Sequence, residues 1–226
     1  MRPLNVIYED DDLLVLNKPA GITVNRAETT RNQLTIEDWL MGKGINLDRH
    51  GLVHRLDKET SGLLLAAKTL TAQANLMAQF KNRQVRKTYL ALVHGRLSPP
   101  NGNINLPIGR NPYIRRRFGI FIGGKPALTN YQTVSNFTDY TLLELNPQTG
   151  RTHQLRVHLK HLNHPLVSDG LYAGRTTANR DRRWCPRLFL HAASISFTHP
   201  FSGKKMEFKL SLPKDLQKVL DKLKKA

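Results

Sequence analysis

Asp57 stands in a polar run, His54-Arg55-Leu56-Asp57-Lys58-Glu59-Thr60-Ser61-Gly62, that feeds directly into the apolar stretch Gly62 to Lys68. A carboxylate flanked by Arg55 and Lys58 is expected to stay ionised, because adjacent positive charge favours its charged form. Held rigidly beside a core strand, such a group can serve as a nucleophile or an electrostatic stabiliser. Taken alone, Asp57 reads more readily as a turn residue or as half of a surface ion pair, which is common and weak.

A second segment changes that weighting. Asn146-Pro147-Gln148-Thr149-Gly150-Arg151-Thr152-His153-Gln154-Leu155-Arg156 reads as a strand end, a turn and a helix start. Arg151 is expected in the first helical turn, where the helix dipole disfavours a cation. A residue set against its local preference usually has a long-range partner. A bidentate contact to a buried carboxylate would supply one. A phosphate-binding arginine at a helix entrance is the alternative.

These segments need a scaffold, and the apolar pattern predicts one. Val6 to Tyr8 and Leu13 to Leu16 read as short strands around the acidic turn Glu9 to Asp12. Leu34 to Met41 reads as a short helix with Thr35 and Asp38 as a capping pair. Gly62 to Lys68 reads as a buried strand. Thr71 is placed to cap a helix carrying Ala72, Leu76, Met77 and Phe80. Lys87 to Gly95 and Tyr140 to Leu145 read as strands. Phe118 to Ile122 and Ala127 to Val134 read as a hairpin around Gly123-Gly124. After Gly150 a helix carries Leu155, His158, Leu159 and Leu162. Leu188 to Phe197 and Met206 to Leu210 close the strands, and Pro213 opens a final helix with Leu216, Val219, Leu220 and Leu223 on one stripe. Strands outnumber helices and several neighbours look hairpin-connected, which predicts an α+β chain with a largely antiparallel sheet.

Charge points to the partner. The 226 residues hold 35 Lys+Arg against 17 Asp+Glu, a net +18, with a pI near 10.4. Such a surplus suits a polyanion, because each phosphate contact releases condensed counterions. Between Ile108 and Lys125 lie Arg110, Arg115, Arg116, Arg117 and Lys125 with no acid. Arg175 to Arg187 holds five arginines against Asp181 alone. Both runs read as loops lying along a nucleic acid. Apolar clusters recur along the whole length and low-complexity tracts are absent, which excludes a disordered chain. One cysteine, Cys185, excludes an intramolecular disulfide and a thiolate metal cluster. Met1-Arg2-Pro3-Leu4 lacks a signal-peptide core, and no apolar stretch approaches the ~20 residues that span a bilayer. A reducing, cytoplasmic setting is expected, with no membrane.

The segment His54 to Leu63 resembles the signature of the RluA-type pseudouridine synthases. Four further segments resemble motifs of the same family, in order. They are Asn17-Lys18-Pro19-Ala20-Gly21; Lys87-Thr88-Tyr89-Leu90-Ala91; Gly150 to His158 with His164-Pro165-Leu166; and Arg187 to Ala192 with His199-Pro200. The resemblance implies a pseudouridine synthase fold, a mixed, largely antiparallel sheet flanked by helices and loops around a central basic catalytic cleft. It implies one catalytic domain over 1–226, or two lobes sharing one sheet. The chain starts almost at that domain, so the small RNA-binding module many relatives carry in front is expected to be absent.

The resemblance also implies roles. Asp57 matches the family's catalytic aspartate and Arg151 the arginine that ion-pairs with it. Tyr89 matches the tyrosine that stacks on the target base and is implicated in removing its C5 proton. Arg55 matches a residue that in some members enters the stack where the base has left. Leu190 sits where an aliphatic residue lines the base pocket. Ser168 departs from an expected glycine before Asp169, and Asn25 from a frequent histidine. The implied activity is isomerisation of uridine in structured RNA, ribosomal ahead of transfer RNA, by a monomer with no obligate protein partner, no cofactor and no metal. The target nucleotide must leave its helix for this, because its sugar and edge are otherwise hidden.

Other readings remain at this point. A catalytically inactive RNA-binding or RNA-chaperone protein needs the basic surface but not Asp57 and Arg151. A base-releasing glycosylase needs an activated water, and no second carboxylate is evident near Asp57. His153, His158, His161 and His164 could in principle hold zinc, but no Cys or acid accompanies them. Tyr89 by itself would be an ordinary core aromatic.

Overall fold

A computed structural model describes residues 4–26, 30 and 33–224. Met1 to Pro3, part of the N-terminal stretch considered above, lie outside the described residues. In chain order the elements begin with β1 (Asn5–Glu9), β2 (Leu13–Lys18), α1 (Ile36–Gly42), β3 (Ser61–Ala67) and α2 (Leu70–Lys81). They continue with β4 (Arg86–His94), β5 (Asn101–Asn105), β6 (Ile108–Arg110), β7 (Phe118–Ile120), β8 (Leu128–Asn136) and β9 (Tyr140–Pro147). The last are α3 (Gln154–His161), α4 (Arg175–Asp181), β10 (Leu190–Thr198), β11 (Lys205–Lys209) and α5 (Lys214–Asp221). The mixed α+β character and the antiparallel pairing match the expectation. Two compact units form: Met1–Arg86 with Ala192–Leu210, and Lys87–His191 with Ser211–Ala226.

In the first unit the strand order is β1-β2-β3-β10, and β11 pairs with β10. β2 and β3 run antiparallel in the register Leu13↔Ala67 to Lys18↔Gly62. β2 is apolar from Leu13 to Leu16 and β3 from Gly62 to Ala67, as suits strands covered on both faces. Leu13, Val15, Leu63 and Leu65 face Ala72 and Leu76 of α2, and Leu14, Leu16 and Leu64 on the other face are equally inaccessible. Gly62 has φ +117, and a Cβ there would lie 2.2 Å from the Ala192 carbonyl oxygen. Only glycine lets β3 start that close to β10. The capping box of α1 forms as predicted: Thr35 Oγ1 accepts the Asp38 N–H and Asp38 accepts the Thr35 N–H. The cap of α2 is corrected. Thr69, not Thr71, accepts the Ala72 N–H at 3.2 Å, because the helix starts at Leu70 and Thr71 already lies in its first turn.

In the second unit β4, β9, β8 and β5 form an antiparallel order. Leu216 and Val219 of α5 pack on Leu92, Phe137, Leu142 and Phe189, so the final apolar stripe does the work predicted of it. The hairpin expected between Phe118–Ile122 and Ala127–Val134 does not form. β7 pairs backwards with β6 as a separate two-stranded sheet, while β8 pairs with β5 and β9. Gly123-Gly124 does turn the chain, but the turn returns Lys125 to Ile108, which exchange N–H···O bonds of 2.9 Å in both directions. A Cβ at Gly124 would sit 2.8 Å from the Ile108 carbonyl carbon, so the missing side chain permits this close return. The run Arg175 to Arg187 also differs from the predicted loop, since Arg175–Asp181 is helical. Its lone acid, Asp181, is buried and accepts the Ser168 N–H and a hydrogen bond with His94. No helix among the described residues is long and apolar enough to cross a membrane.

Candidate active site

Asp57 and Arg55 belong to the first unit; Tyr89, Arg151, Leu190 and the arginine-rich arm belong to the second. In the first unit the segment before Asp57 runs beside β3. Leu52 bridges Ala66, His54 Nε2 accepts the Leu65 N–H at 2.9 Å, and the His54 ring stacks on Phe80 at 4.8 Å. Leu56 is buried and Arg55 is exposed. Asp57 then opens a turn closed by the Thr60 N–H donating to its carbonyl at 3.1 Å, and its side chain is half-buried. The ammonium of Lys58, a flanking cation in the sequence reading, donates to Gln33 Oε1.

The far side of this turn rests on a residue whose role the sequence did not reveal. Lys18 is fully buried, and its ammonium donates to the carbonyls of Pro19 and Ile22 at 2.9 Å and of Lys58 at 3.1 Å. The Gly21 N–H also donates to Lys58, at 2.8 Å. A buried cation is tolerated only when so satisfied. Next to an apolar strand and a Pro-Ala-Gly turn, Lys18 reads like any strand-end lysine; only its solvation distinguishes it.

In the second unit Tyr89 lies in β4 opposite Leu145 of β9 and is 9% exposed. Lys87, two residues earlier, projects to the same face of the strand. Burial lowers the pKa of its ammonium. Leu190 is buried at the start of β10. Arg151 is not in the first turn of α3, which begins at Gln154 after a left-handed His153 at the N-cap. It lies in the preceding loop, so the dipole argument does not apply. Its Nε donates to the Pro126 carbonyl at 3.0 Å and its N–H to Gln154 Oε1 at 3.0 Å.

Gln154 is the hub of this loop. Its Oε1 also accepts from Thr149 Oγ1 at 2.8 Å, while its Nε2 donates to the Leu128 carbonyl and Thr129 Oγ1, both at 3.0 Å. Within this unit the bidentate arginine–carboxylate pair of the segment is Arg156 with Asp169, two bonds of 2.8 Å. Nothing in the sequence of this motif marks Gln154 or Arg156 for these roles. Of the four histidines, His161 is exposed and the other three take separate places. His158 is buried between Thr129 Oγ1 and the Leu106 carbonyl, His164 meets the His94 carbonyl, and His153 lies 2.8 Å from the Tyr172 hydroxyl.

The same supports reach the basic arm. Arg110, Arg115, Arg116 and Lys125 are exposed and Arg117 half-buried on or beside β6 and β7. Tyr172 Oη accepts the Phe118 N–H at 3.0 Å, and His153 meets the Phe118 ring edge-on. Pro126, the acceptor for Arg151, directly follows Lys125. Arg151 and the arm are therefore held by one network.

The model of the RNA pseudouridylate synthase family matches residues 12–161. The chain belongs to that family. Ribosomal large subunit pseudouridine synthase D of Nitrosomonas europaea is 42% identical over 96% of this chain and 64% of its own length. RNA pseudouridine synthase YlyB of Bacillus subtilis, described as uncharacterized, is 40% identical over 98% of this chain and 73% of its own. The chain thus spans somewhat under two thirds of the Nitrosomonas relative. Among solved structures, human RNA pseudouridylate synthase domain containing 4 aligns with a TM-score of 0.77 at 26% identity, covering 96% of this chain and 92% of that one. Human domain containing 1 aligns at 0.75 with 31% identity, covering 94% and 87%. The pseudouridine synthase fold is the one the motifs implied.

Proposed function

We propose that this family member isomerises uridine to pseudouridine in RNA, with Asp57 as the catalytic carboxylate. The observation that carries the reading is the Asp57 turn itself. The loop that carries this half-buried residue is fastened on one side to β3 through His54 and on the other by the buried ammonium of Lys18, which holds the Lys58 carbonyl, in a chain whose family is defined by this chemistry. Arg151 is the guanidinium that the motif resemblance assigns to that carboxylate. Tyr89 stacks on the target base, Arg55 enters the stack it vacates, and Leu190 lines its pocket. The N1 glycosidic bond breaks, the base turns, the C5 bond forms, and the C5 proton is lost as N1 gains one. All atoms come from the uridine, so the reaction needs no redox carrier or metal.

Arg110, Arg115, Arg116, Arg117 and Lys125 bind phosphates and offset the few kcal/mol that base extrusion costs. Ribosomal RNA is favoured over transfer RNA because relatives at 42% and 39% identity are named for the large ribosomal subunit. The protein acts as a cytoplasmic monomer. Carbodiimide mapping of pseudouridine across cellular RNA, with and without the gene, tests this. One or a few sites should vanish with the gene and return with it; an unchanged map in ribosomal and transfer RNA alike contradicts the proposal.

A further inference from the structure

We infer that Tyr113, at the tip of the β6–β7 arm, is a second base-stacking platform, one that receives an unpaired nucleotide of the substrate RNA other than the target uridine. The inference rests on the RNA-modifying reading and deepens it. Tyr113 is 93% exposed and Ile114 beside it 41%. A tyrosine that buries almost none of its ring contributes nothing to the core, and its flat face is available to a partner.

The tip is built to hold that ring out. Asn111 Oδ1 accepts the N–H groups of Tyr113 at 2.9 Å and Ile114 at 2.7 Å. The Arg117 N–H donates to the Ile114 carbonyl at 2.7 Å, and the Asn111 N–H closes the loop on the Arg117 carbonyl at 2.9 Å. Arg110 donates to the Arg115 carbonyl at 3.0 Å while its guanidinium lies 5.0 Å from the Phe118 ring. All of these bonds run through backbone or through side chains other than Tyr113. The ring is presented by a preformed loop and takes no part in forming it, so little ordering is left to oppose binding.

Charge identifies the occupant. The arm from Ile108 to Lys125 carries five cations and no acid. An exposed aromatic among arginines matches single-stranded RNA, whose bases offer π faces and whose phosphates flank them. An apolar protein partner would want a wider patch without the arginines around it.

The test uses the full chain and a short single-stranded oligoribonucleotide carrying one 2-aminopurine, with a matched duplex as control. Wild-type protein, Tyr113→Phe and Tyr113→Trp should quench the probe, because each keeps a stacking face. Tyr113→Ala should lose most of the quench and bind about 5- to 150-fold more weakly, the range for one stacked base, with an unchanged melting temperature. Equal affinity and quench in Tyr113→Ala would overturn the inference. So would a loss as large in Tyr113→Phe, which would assign the effect to the hydroxyl. Binding to phosphatidylserine vesicles that depends on Tyr113, with RNA binding untouched, would also overturn it and make the tip a membrane contact. Pseudouridine formation by the wild type is scored in parallel. Stacking without turnover removes the catalytic reading alone, and turnover without stacking removes Tyr113 alone.

Discussion

His54 and Leu65 are joined by a 2.9 Å hydrogen bond from the Leu65 N–H to the imidazole Nε2. The residue three places before Asp57 is therefore fastened to the centre of a strand buried along its whole length. The loop that carries Asp57 inherits the rigidity of the core, which is what positioning a reactive group demands.

His54→Ala removes that acceptor and the stacking on Phe80. Leaving the Leu65 N–H without its partner should cost about 1–3 kcal/mol of stability. Turnover should fall while RNA affinity stays near wild type, because no phosphate-binding residue is touched. Denaturant titration, kcat and Kd on one preparation check this; a change confined to Kd would contradict it.

Ser168 occupies the position where relatives were expected to carry glycine, and its φ is +60. Its hydroxyl compensates for the strain by donating to the Cys185 carbonyl at 2.6 Å, while its N–H donates to Asp181. Ser168→Ala keeps the strained backbone and loses the bond, so it should destabilise by about 1–2 kcal/mol. Ser168→Gly loses the same bond but relaxes the backbone, and should lie closer to wild type. The order of melting temperatures decides, and an alanine variant as stable as the glycine one would contradict the account.

His191 is buried in β10, and burial followed by the charge of Arg187 lowers its pKa to about 4 from 6.5. Between those values the unfolded chain binds the proton more readily than the folded one. The stability tied to neutral His191 is thus complete above about pH 6.5 and is lost as pH falls through 4. At its largest it amounts to a few kcal/mol. His191→Gln should flatten the dependence of melting temperature on pH in this window; an unaltered slope would rule the histidine out as its source.

The net charge of +18 predicts RNA affinity that falls steeply with salt. Each phosphate contact contributes roughly one unit or slightly less to the slope of log K against log salt. Replacing Arg115 and Arg116 by Gln should lower that slope by up to about 2 and weaken unrelated RNA sequences alike. A flat salt response would remove phosphate contacts as the main source of affinity.

Legibility followed the range of the interactions. The Thr35–Asp38 capping box, the apolar run of β3 and the Leu216–Val219 stripe depend on neighbours within a few residues, and each was readable. Thr69 and Thr71 compete for one cap, and only the helix start separates them. Ile108–Arg110 is too short to signal a strand, and the return of Lys125 to Ile108 depends on Gly124 clearing the Ile108 backbone. The arginine run at Arg175 reads as a loop by composition, yet it is partly helical and its Asp181 turns inward. At the candidate site, Asp57, Tyr89 and Arg151 stand out through motif resemblance alone. Lys18, His54 and Gln154 took no role from the sequence because their work is hydrogen bonding to backbone far along the chain.

The most direct test of the account is Asp57→Asn, which keeps the size of the side chain and removes its charge. On the RNA identified by mapping, with tritium at C5 of the target uridine, wild-type protein should release the label. The variant should release none while binding that RNA within about twofold of wild type, since the phosphate contacts that dominate affinity are unchanged. Label release by Asp57→Asn at a rate near wild type would show that another group carries the chemistry.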